Sequence, residues 1–483
     1  MTRHRRLHAR LLCVAAIALG TAACSRDTGE PGVDLGEVLT PEQVALRAEA
    51  RPTGLKVLVI GVDGAALRVI DPLIGEGRLP ALAALRRRGA SGTLLAERPM
   101  YSPALWTTVA TGYPRTRHGV EHFLAPESSE SAPTLVTSRH RRTLALWNLT
   151  SFFGLENAVV SWWVTRPAEP VRGTLVSDRF ARSRWTEWTD GGKQMGLVWP
   201  PSLAPTLASH RVDPDSPPVD ELRALLPMTP REEAEMLAAE RPIFAHGLSV
   251  LKFAWCAQRT YENVALALVS GPAQADLSMV FLVALDAVSH TFWHYHEPQA
   301  FSELAGSRPG PGDPVVALYE HNDAFIARLL ARVDPETVVL VLSDHGFRAS
   351  RSLLGPVSKE QYAAAREEAL RHGEATIGQS GRHDKEGVLF AAGGPFLAGH
   401  RLEASQLDVA PTLLYLLGLP VPDEMPGRIL LDAMAPTWVE DHPPIRVSSL
   451  EGIVPRTMTS LPDRPEAFDA EDLERLRALG YVQ

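Results

Sequence analysis

Residues 55–71 read LKVLVIGVDGAALRVID, and this stretch decides the fold. From Leu55 to Val62 the chain is almost continuously apolar and rich in β-branched residues, which predicts a central parallel strand covered on both faces. The run stops at an acid, Asp63. Further on, residues 100–120 read MYSPALWTTVATGYPRTRHGV. Pro103 at a first helical position predicts a helix that ends at Gly112, with Ser102 as its N-cap. Orphan backbone N–H groups and the positive end of the helix dipole would surround that hydroxyl, and the same setting receives a phosphate. An isolated Ser-Pro is usually a cap and nothing more. Its company changes the reading. Three later segments, LVALDAVSH (282–290), LVLSDHGF (340–347) and GRHDKEGVLF (381–390), carry Asp286, His290, Asp344, His345 and His383 beside strand-like runs. An α/β sheet gathers its functional groups at strand ends, so these segments are expected to form one site.

The residue types point to a metal. Hard and borderline divalent cations take carboxylate oxygens and neutral imidazoles, and Zn²⁺ accepts mixed nitrogen and oxygen ligands. Asp286 and His290 are four apart and share a face if the turn after their strand is helical. Asp344 and His345 can serve one site only if their strand has ended and the backbone turns at Gly346. His383 lies just before a strand and completes the set from another edge. With 16 histidines in the chain, spacing pairs are cheap, and only the ordered set carries weight.

Of 483 residues, 45% are hydrophobic and 22% charged, which suits a globular protein with a sizeable core, and the net charge of −9 gives no footprint for nucleic acid. The N-terminus reads as a targeting segment. MTRHRRLHAR is basic, LLCVAAIALG is a short apolar core, and TAAC ends in Cys24, the pattern of a bacterial lipoprotein signal over 1–24 with Cys24 lipidated. Residues 25–53 then form a tether, and the protein is expected in the cell envelope, on the membrane through its lipid. The chain has three cysteines, at 13, 24 and 256, so no disulfide framework is expected.

The catalytic domain is expected over 54–174 and 271–435. Pro80 opens a helix with Gly89 as C-cap, ENAVVSWWV (156–164) reads as a strand, and Asp313 with Pro314 starts a long helix. Pro, Gly, Asp and Trp accumulate between about 175 and 270, read as an inserted cap. There Trp185, Trp188 and Trp199 are candidates for a substrate pocket or a core, and Arg182, Arg184 and Lys193 for phosphate contact or a solvated face. Residues 436–483 form a tail with a short helix in AEDLERLRALGYV. The fold class is α/β: a three-layer sandwich with a mostly parallel central sheet plus the inserted cap.

GVDG, SPALWTTVATGYPRTRHGV, LDAVSH, SDHGF and GRHDKEGVLFAAGGP together resemble the alkaline phosphatase superfamily, in its type I phosphodiesterase/nucleotide pyrophosphatase branch. LDVAPTLLYLLGLPVPDEMPGRIL is similar to that branch's closing segment. The resemblance implies two divalent metal ions, most naturally Zn²⁺. One would be held by Asp286, His290 and His383, the other by Asp63, Asp344, His345 and the oxygen of the nucleophile, Ser102. It also implies a phosphodiesterase acting through a phosphoseryl intermediate on a small-molecule or lipid-headgroup phosphate ester. The branch has an asparagine soon after the nucleophile, where this chain reads Pro103, Ala104, Leu105. The arginine and proline pattern of sulfatases is absent too. A phosphomonoesterase, a phospho-headgroup transferase and a non-catalytic lipid-anchored binding protein remain open. The substrate itself is not written in the sequence.

Overall fold

The strand Val57–Val62 takes the middle of the sheet, as its composition demands, and its side chains alternate between two cores. Val57 and Val59 enter one; Leu58, Ile60 and Val62 enter the other. The computed structural model describes residues 39–125, 134–182, 196–240, 246–269, 274–301, 312–350 and 380–457. In chain order the strands used below are β1 (Val57–Val62), β2 (Gly89–Leu95), β3 (Asn157–Val160), β4 (Gly173–Val176), β5 (Val198–Trp199), β6 (Leu277–Leu282), β7 (Val338–Leu342), β8 (Gly346–Ala349), β9 (Gly381–Asp384), β10 (Glu386–Ala392) and β11 (Arg401–Ser405).

Nine of these pair in the order β11-β2-β10-β7-β1-β6-β3-β4-β5, while β8 and β9 form a separate hairpin. The run from β7 through β4 is parallel throughout. β10 runs against β7 and β2, β5 runs against β4, and β11 is parallel to β2. The helices Ser102–Thr111, Leu146–Phe152 and Val409–Leu416 cover one face through Trp106, Trp147 and Leu413. The helices Leu67–Gly75, Pro80–Arg88, Gly247–Leu268, Ala284–His296 and Pro314–Leu330 cover the other through Ile70, Leu85, Trp255, Leu285 and Phe325. This is the expected three-layer α/β sandwich with a mostly parallel sheet. No helix among the described residues is long and apolar enough to cross a membrane.

Local expectations meet the structure unevenly. Asp313 caps its helix by accepting from the N–H groups of Val315 and Val316, each at 3.1 Å. Gly89 is no left-handed C-cap: its backbone is extended and opens β2 directly. Glycine is needed there because a Cβ would sit 2.1 Å from the Ala391 carbonyl oxygen across the ladder. The strand in ENAVVSWWV stops at Val160, and Ser161 turns into the left-handed region.

The helix Pro41–Glu49, inside the expected tether, is docked on the domain. Its Leu46 joins the core, and Gln43 donates to the Ile453 carbonyl. Within the expected cap, the end of β4, β5 and the Gly247–Leu268 helix are built into the sandwich. Leu222, Leu225 and Met236 pack onto the same helical layer. Trp199 lies in the edge strand β5 and donates to the Val171 carbonyl, a structural role. Arg182 pairs with Asp215 at 2.6 Å and so is not simply solvated. Cys24 with the signal region, Trp185, Trp188, Arg184, Lys193 and the last helix of the tail lie outside the described residues.

The Ser102–Thr111 helix is pinned from outside by buried His118. Its Nδ1 accepts from Val120 N–H at 3.1 Å, which leaves Nε2–H to donate to Thr108 Oγ1 at 3.1 Å. Burial first, then the charges of Arg115 and Arg141, bring this imidazole down to about 3 from an ordinary 6.5. Below about 6.5 the unfolded chain takes up a proton that the native site refuses, so this contribution to stability is complete above that pH and declines toward about 3. Thermal melts are expected to show Tm falling as the pH is lowered from about 7 to about 4, and less steeply in His118→Gln.

Candidate metal and nucleophile site

Parallel order and strand spacing build the site. β7, β1 and β6 are neighbours, and each carries an acid just past its C-terminal end: Asp344, Asp63 and Asp286. Adjacent strands lie about 4.8 Å apart, so three carboxylates are drawn into one small volume. Asp286 and His290 sit on the Ala284–His296 helix, whose turn spacing puts both on one face. β7 has ended at Leu342 and the chain turns before β8 starts at Gly346, which lets Asp344 and His345 serve one centre. Ser343 fixes that turn: its hydroxyl accepts from Ala65 N–H at 2.8 Å and donates to the His345 carbonyl at 2.7 Å. His383 arrives on β9, which approaches the Asp286 helix so closely that a Cβ at Gly381 would lie 2.1 Å from the Ser289 carbonyl oxygen.

All seven candidates converge. His383 Nε2 is 3.2 Å and His290 Nε2 3.3 Å from Asp286 Oδ1, and the two Nε2 atoms are 2.8 Å apart. His345 Nε2 stands 3.5 Å from both Asp63 Oδ1 and Asp344 Oδ2, and 3.9 Å from Asp286 Oδ1. Ser102 Oγ is 3.5 Å from Asp63 Oδ1, with Ser102 2% and Asp63 3% exposed. The donor atoms of Asp63, Asp344 and His345 form one tight group, and those of Asp286, His345 and His383 another, each within 4.8 Å. His345 thus stands between the two clusters.

The imidazoles are wired for a cation. His290 Nδ1 lies 3.0 Å from the Gly381 carbonyl, His383 Nδ1 3.0 Å from the Met100 carbonyl, and His345 Nδ1 3.2 Å from the Gly346 carbonyl. A carbonyl only accepts, so each Nδ1 carries the proton and each Nε2 turns a lone pair toward the carboxylates. Two such Nε2 atoms 2.8 Å apart repel unless a positive charge sits between them and their acids. Asp344 Oδ2 and His345 Nε2 are buried with no hydrogen-bond partner. Burial, then the charges of Asp63 and Asp286, push the Asp344 carboxyl well above its usual range. Burial, then His383, pushes the His345 imidazole well below its own. The donor set therefore fits divalent cations.

Ser102 is the first residue of its helix, and Tyr101 is the N-cap, with no side-chain capping bond. The hydroxyl is thereby free of the capping role and reaches toward Asp63. The N–H groups of Ala104 and Leu105 are both committed to the Tyr101 carbonyl, at 2.9 and 3.0 Å, so neither is an orphan donor for a phosphate. Sequence reasoning missed the supports: Ser343, Gln406, whose Nε2 donates to the Asp344 carbonyl at 2.6 Å, and Ser380, whose N–H donates to the His290 carbonyl at 2.8 Å. Only the SDHGF composition hinted at the first.

Residues 57–391 match the type I phosphodiesterase / nucleotide pyrophosphatase family. The chain belongs to that family. It is accordingly a metal-dependent phosphoric ester hydrolase. A short segment is 62% identical over 46 residues to a 2,3-bisphosphoglycerate-independent phosphoglycerate mutase of Cereibacter sphaeroides, 9% of this chain and 9% of that one. Among solved structures it is similar to a phosphonoacetate hydrolase from Sinorhizobium meliloti 1021, at 13% identity over 77% of this chain and 98% of that one, TM-score 0.44. Human ectonucleotide pyrophosphatase / phosphodiesterase 5 is similar at 13% identity, over 80% of this chain and 99% of that one, TM-score 0.43.

Without metal, Asp344 costs the fold stability because its charge is buried among two others. Asp344→Asn is therefore expected to raise the Tm of chelator-treated protein. The same change should shrink the rise in Tm on adding zinc, and paired melts check both.

Proposed function

We propose that the chain hydrolyses phosphoric diesters through a phosphoseryl intermediate on Ser102, in the bacterial cell envelope, where Cys24 anchors it by lipid. One observation carries this reading: a buried serine hydroxyl at a helix start, 3.5 Å from one of three carboxylates that share their volume with three correctly tautomerised imidazoles. Two divalent cations, zinc by the mixed donor set, would be held by Asp286, His290 and His383 and by Asp63, Asp344, His345 and Ser102, and when bound they supply Lewis acidity and neutralise charge at the phosphoryl group.

The chain's own residues do the rest. Ser102 sits in the first turn, where the helix dipole favours a developing oxyanion on Oγ, and its proton is directed at Asp63 Oδ1. Oγ forms a bond to phosphorus as the bond to the ester oxygen breaks, and the leaving oxygen takes up the proton given up by Ser102 and departs as the alcohol. Water then forms the new phosphorus–oxygen bond as the bond from phosphorus to Oγ breaks, and one of the water's protons passes to Oγ. Asp344 and His345, fixed through Gln406 and Ser343, hold one side of the site rigid. Ser380 ties β9, and with it His383, to the other. Ala104 and Leu105 N–H are committed to the Tyr101 carbonyl and so do not stand in for the absent asparagine, and the charged centre orients the phosphoryl oxygens. The basic, apolar, cysteine-terminated N-terminal sequence supports the envelope location.

Ser102→Ala is expected to lower turnover of a 4-nitrophenyl phosphodiester by at least about a thousandfold. Rapid quenching of the wild-type enzyme in acid should leave a phosphoryl group on the Ser102 peptide by mass spectrometry. Full turnover in the variant would remove the covalent step. Cleavage of monoesters alone, in a panel with matched leaving groups, would replace the diester reading.

A further inference from the structure

One helix serves the starts of three others. Pro314–Leu330 carries Tyr319, Asn322 and Asp323 at helical spacings that bring them to one side, and all three are buried. The Tyr319 hydroxyl accepts from Ala66 N–H at 2.9 Å, where the helix Leu67–Gly75 begins. Asp323 accepts from Ala81 N–H at 2.9 Å and from Leu82 N–H at 2.8 Å, in the first turn of Pro80–Arg88. Asn322 reaches the third start, that of Ala284–His296, through Gln258 on the Gly247–Leu268 helix.

Two of these starts carry acids of the metal site. None of the three helices is capped by the side chain of its own N-cap residue, Ala66, Leu79 or Val283. The first N–H groups of a helix have no partner within it, and in a buried layer another element must supply one. Asp63 stands three residues before Ala66 and Asp286 two residues after Ala284, so each carboxylate hangs on backbone next to a cap supplied from a neighbouring helix. The two segments also meet: a Cβ at Gly64 would lie 3.4 Å from Asp286 Cα. A small shift of either start therefore moves an acid within clusters whose donor atoms lie within 4.8 Å of one another.

Charge fixes which way Gln258 faces. Glu262, one turn further along the same helix and fully buried, accepts from Arg259 Nη1 at 2.5 Å and Arg328 Nη2 at 3.2 Å, and its Oε1 lies 2.6 Å from His321 Nε2. Two guanidinium groups and an imidazole keep it ionised. An ionised carboxylate only accepts, so Gln258 turns Nε2 toward it, at 3.1 Å, and toward Asn322 Oδ1, at 2.7 Å. That leaves Oε1 for Ala284 N–H, at 3.0 Å. A flipped amide would set NH₂ against N–H. The register of the Asp286 helix is thus set from the far side of the helical layer.

We propose that Gln258 and Tyr319 are positioning residues for metal binding, Gln258 for the centre built on Asp286 and Tyr319 for the centre built on Asp63. The proposal rests on the two-centre reading given above. Asp323 supplies the control: it holds a helix start of the same kind from the same helix, yet Pro80–Arg88 bears no candidate ligand. A merely structural loss would look alike at all three positions.

Zinc is titrated, in competition with a chromogenic chelator, into two full-length single-centre proteins. Asp344→Asn keeps Asp286, His290 and His383; His290→Ala keeps Asp63, Asp344 and His345. Added to the first, Gln258→Met is expected to weaken zinc binding by about tenfold to a hundredfold, and added to the second to leave it unchanged. Tyr319→Phe should do the reverse, and Asp323→Ala should lower Tm in both proteins while changing neither affinity. Thermal melts accompany each variant, and Tyr319→Phe, which loses one hydroxyl only, carries the test if Gln258→Met does not fold. Equal weakening of both centres by either variant, or the same loss from Asp323→Ala, would overturn the proposal. Zinc uptake indifferent to Gln258 and Tyr319 would remove the proposal alone, whereas wild-type protein that takes up no zinc would remove the two-centre reading and the proposal with it.

Discussion

Three carboxylates at the ends of three neighbouring parallel strands are a conflict that the fold cannot avoid and the rest of the molecule answers. Asp344, Asp63 and Asp286 follow β7, β1 and β6, and strand spacing alone brings them together. Left to themselves they would need protons, as the raised Asp344 carboxyl shows. The chain instead brings three imidazoles to the same point and uses three backbone carbonyls to keep their Nδ1 atoms protonated. What results is a nest of lone pairs whose charge balance calls for cations.

That constraint explains features remote from the chemistry. The β8–β9 hairpin carries His383 across to β6's helix, and Gly381 permits its approach. His118 and Trp162 hold the Ser102–Thr111 helix from two sides, through Thr108 and through the Trp106 carbonyl. Trp162 stands in a turn held by the Val176 carbonyl and the Asp178 carboxylate, so those hydrogen bonds help to seat the Ser102–Thr111 helix. A change at Asp178, which holds that turn, would reach the helix through Trp162.

Much of the site was legible because its chemistry lies in local patterns. An acid ending a β-branched run, Ser-Pro before a helix, and Asp-His before a glycine each depend on a few adjacent residues, and each lands in the site. The match across 57–391 accords with the family resemblance drawn from those motifs. What the sequence hid depends on distant partners. Nothing around Gly89 shows that Ala391 will press on it, so its helix cap and its strand start look alike. The SWWV segment has the composition of a strand, and only Val176 and Asp178 bend it into a turn. Residues 41–49 look like part of a linker because the contacts that dock them, Leu46 in the core, Gln43 on the Ile453 carbonyl and Arg47 over the Phe152 ring, are all with distant residues. Ser102 was expected to cap its helix, and the chain gives that place to Tyr101, which leaves the hydroxyl for Asp63.

Crystals grown with zinc, with diffraction recorded on both sides of the zinc absorption edge, address the central claim most directly. The account predicts two anomalous peaks in one cavity, the first among Asp63, Asp344 and His345 beside Ser102, the second among Asp286, His290 and His383. An anomalous map empty at these residues, with zinc bound only elsewhere on the surface, would contradict it.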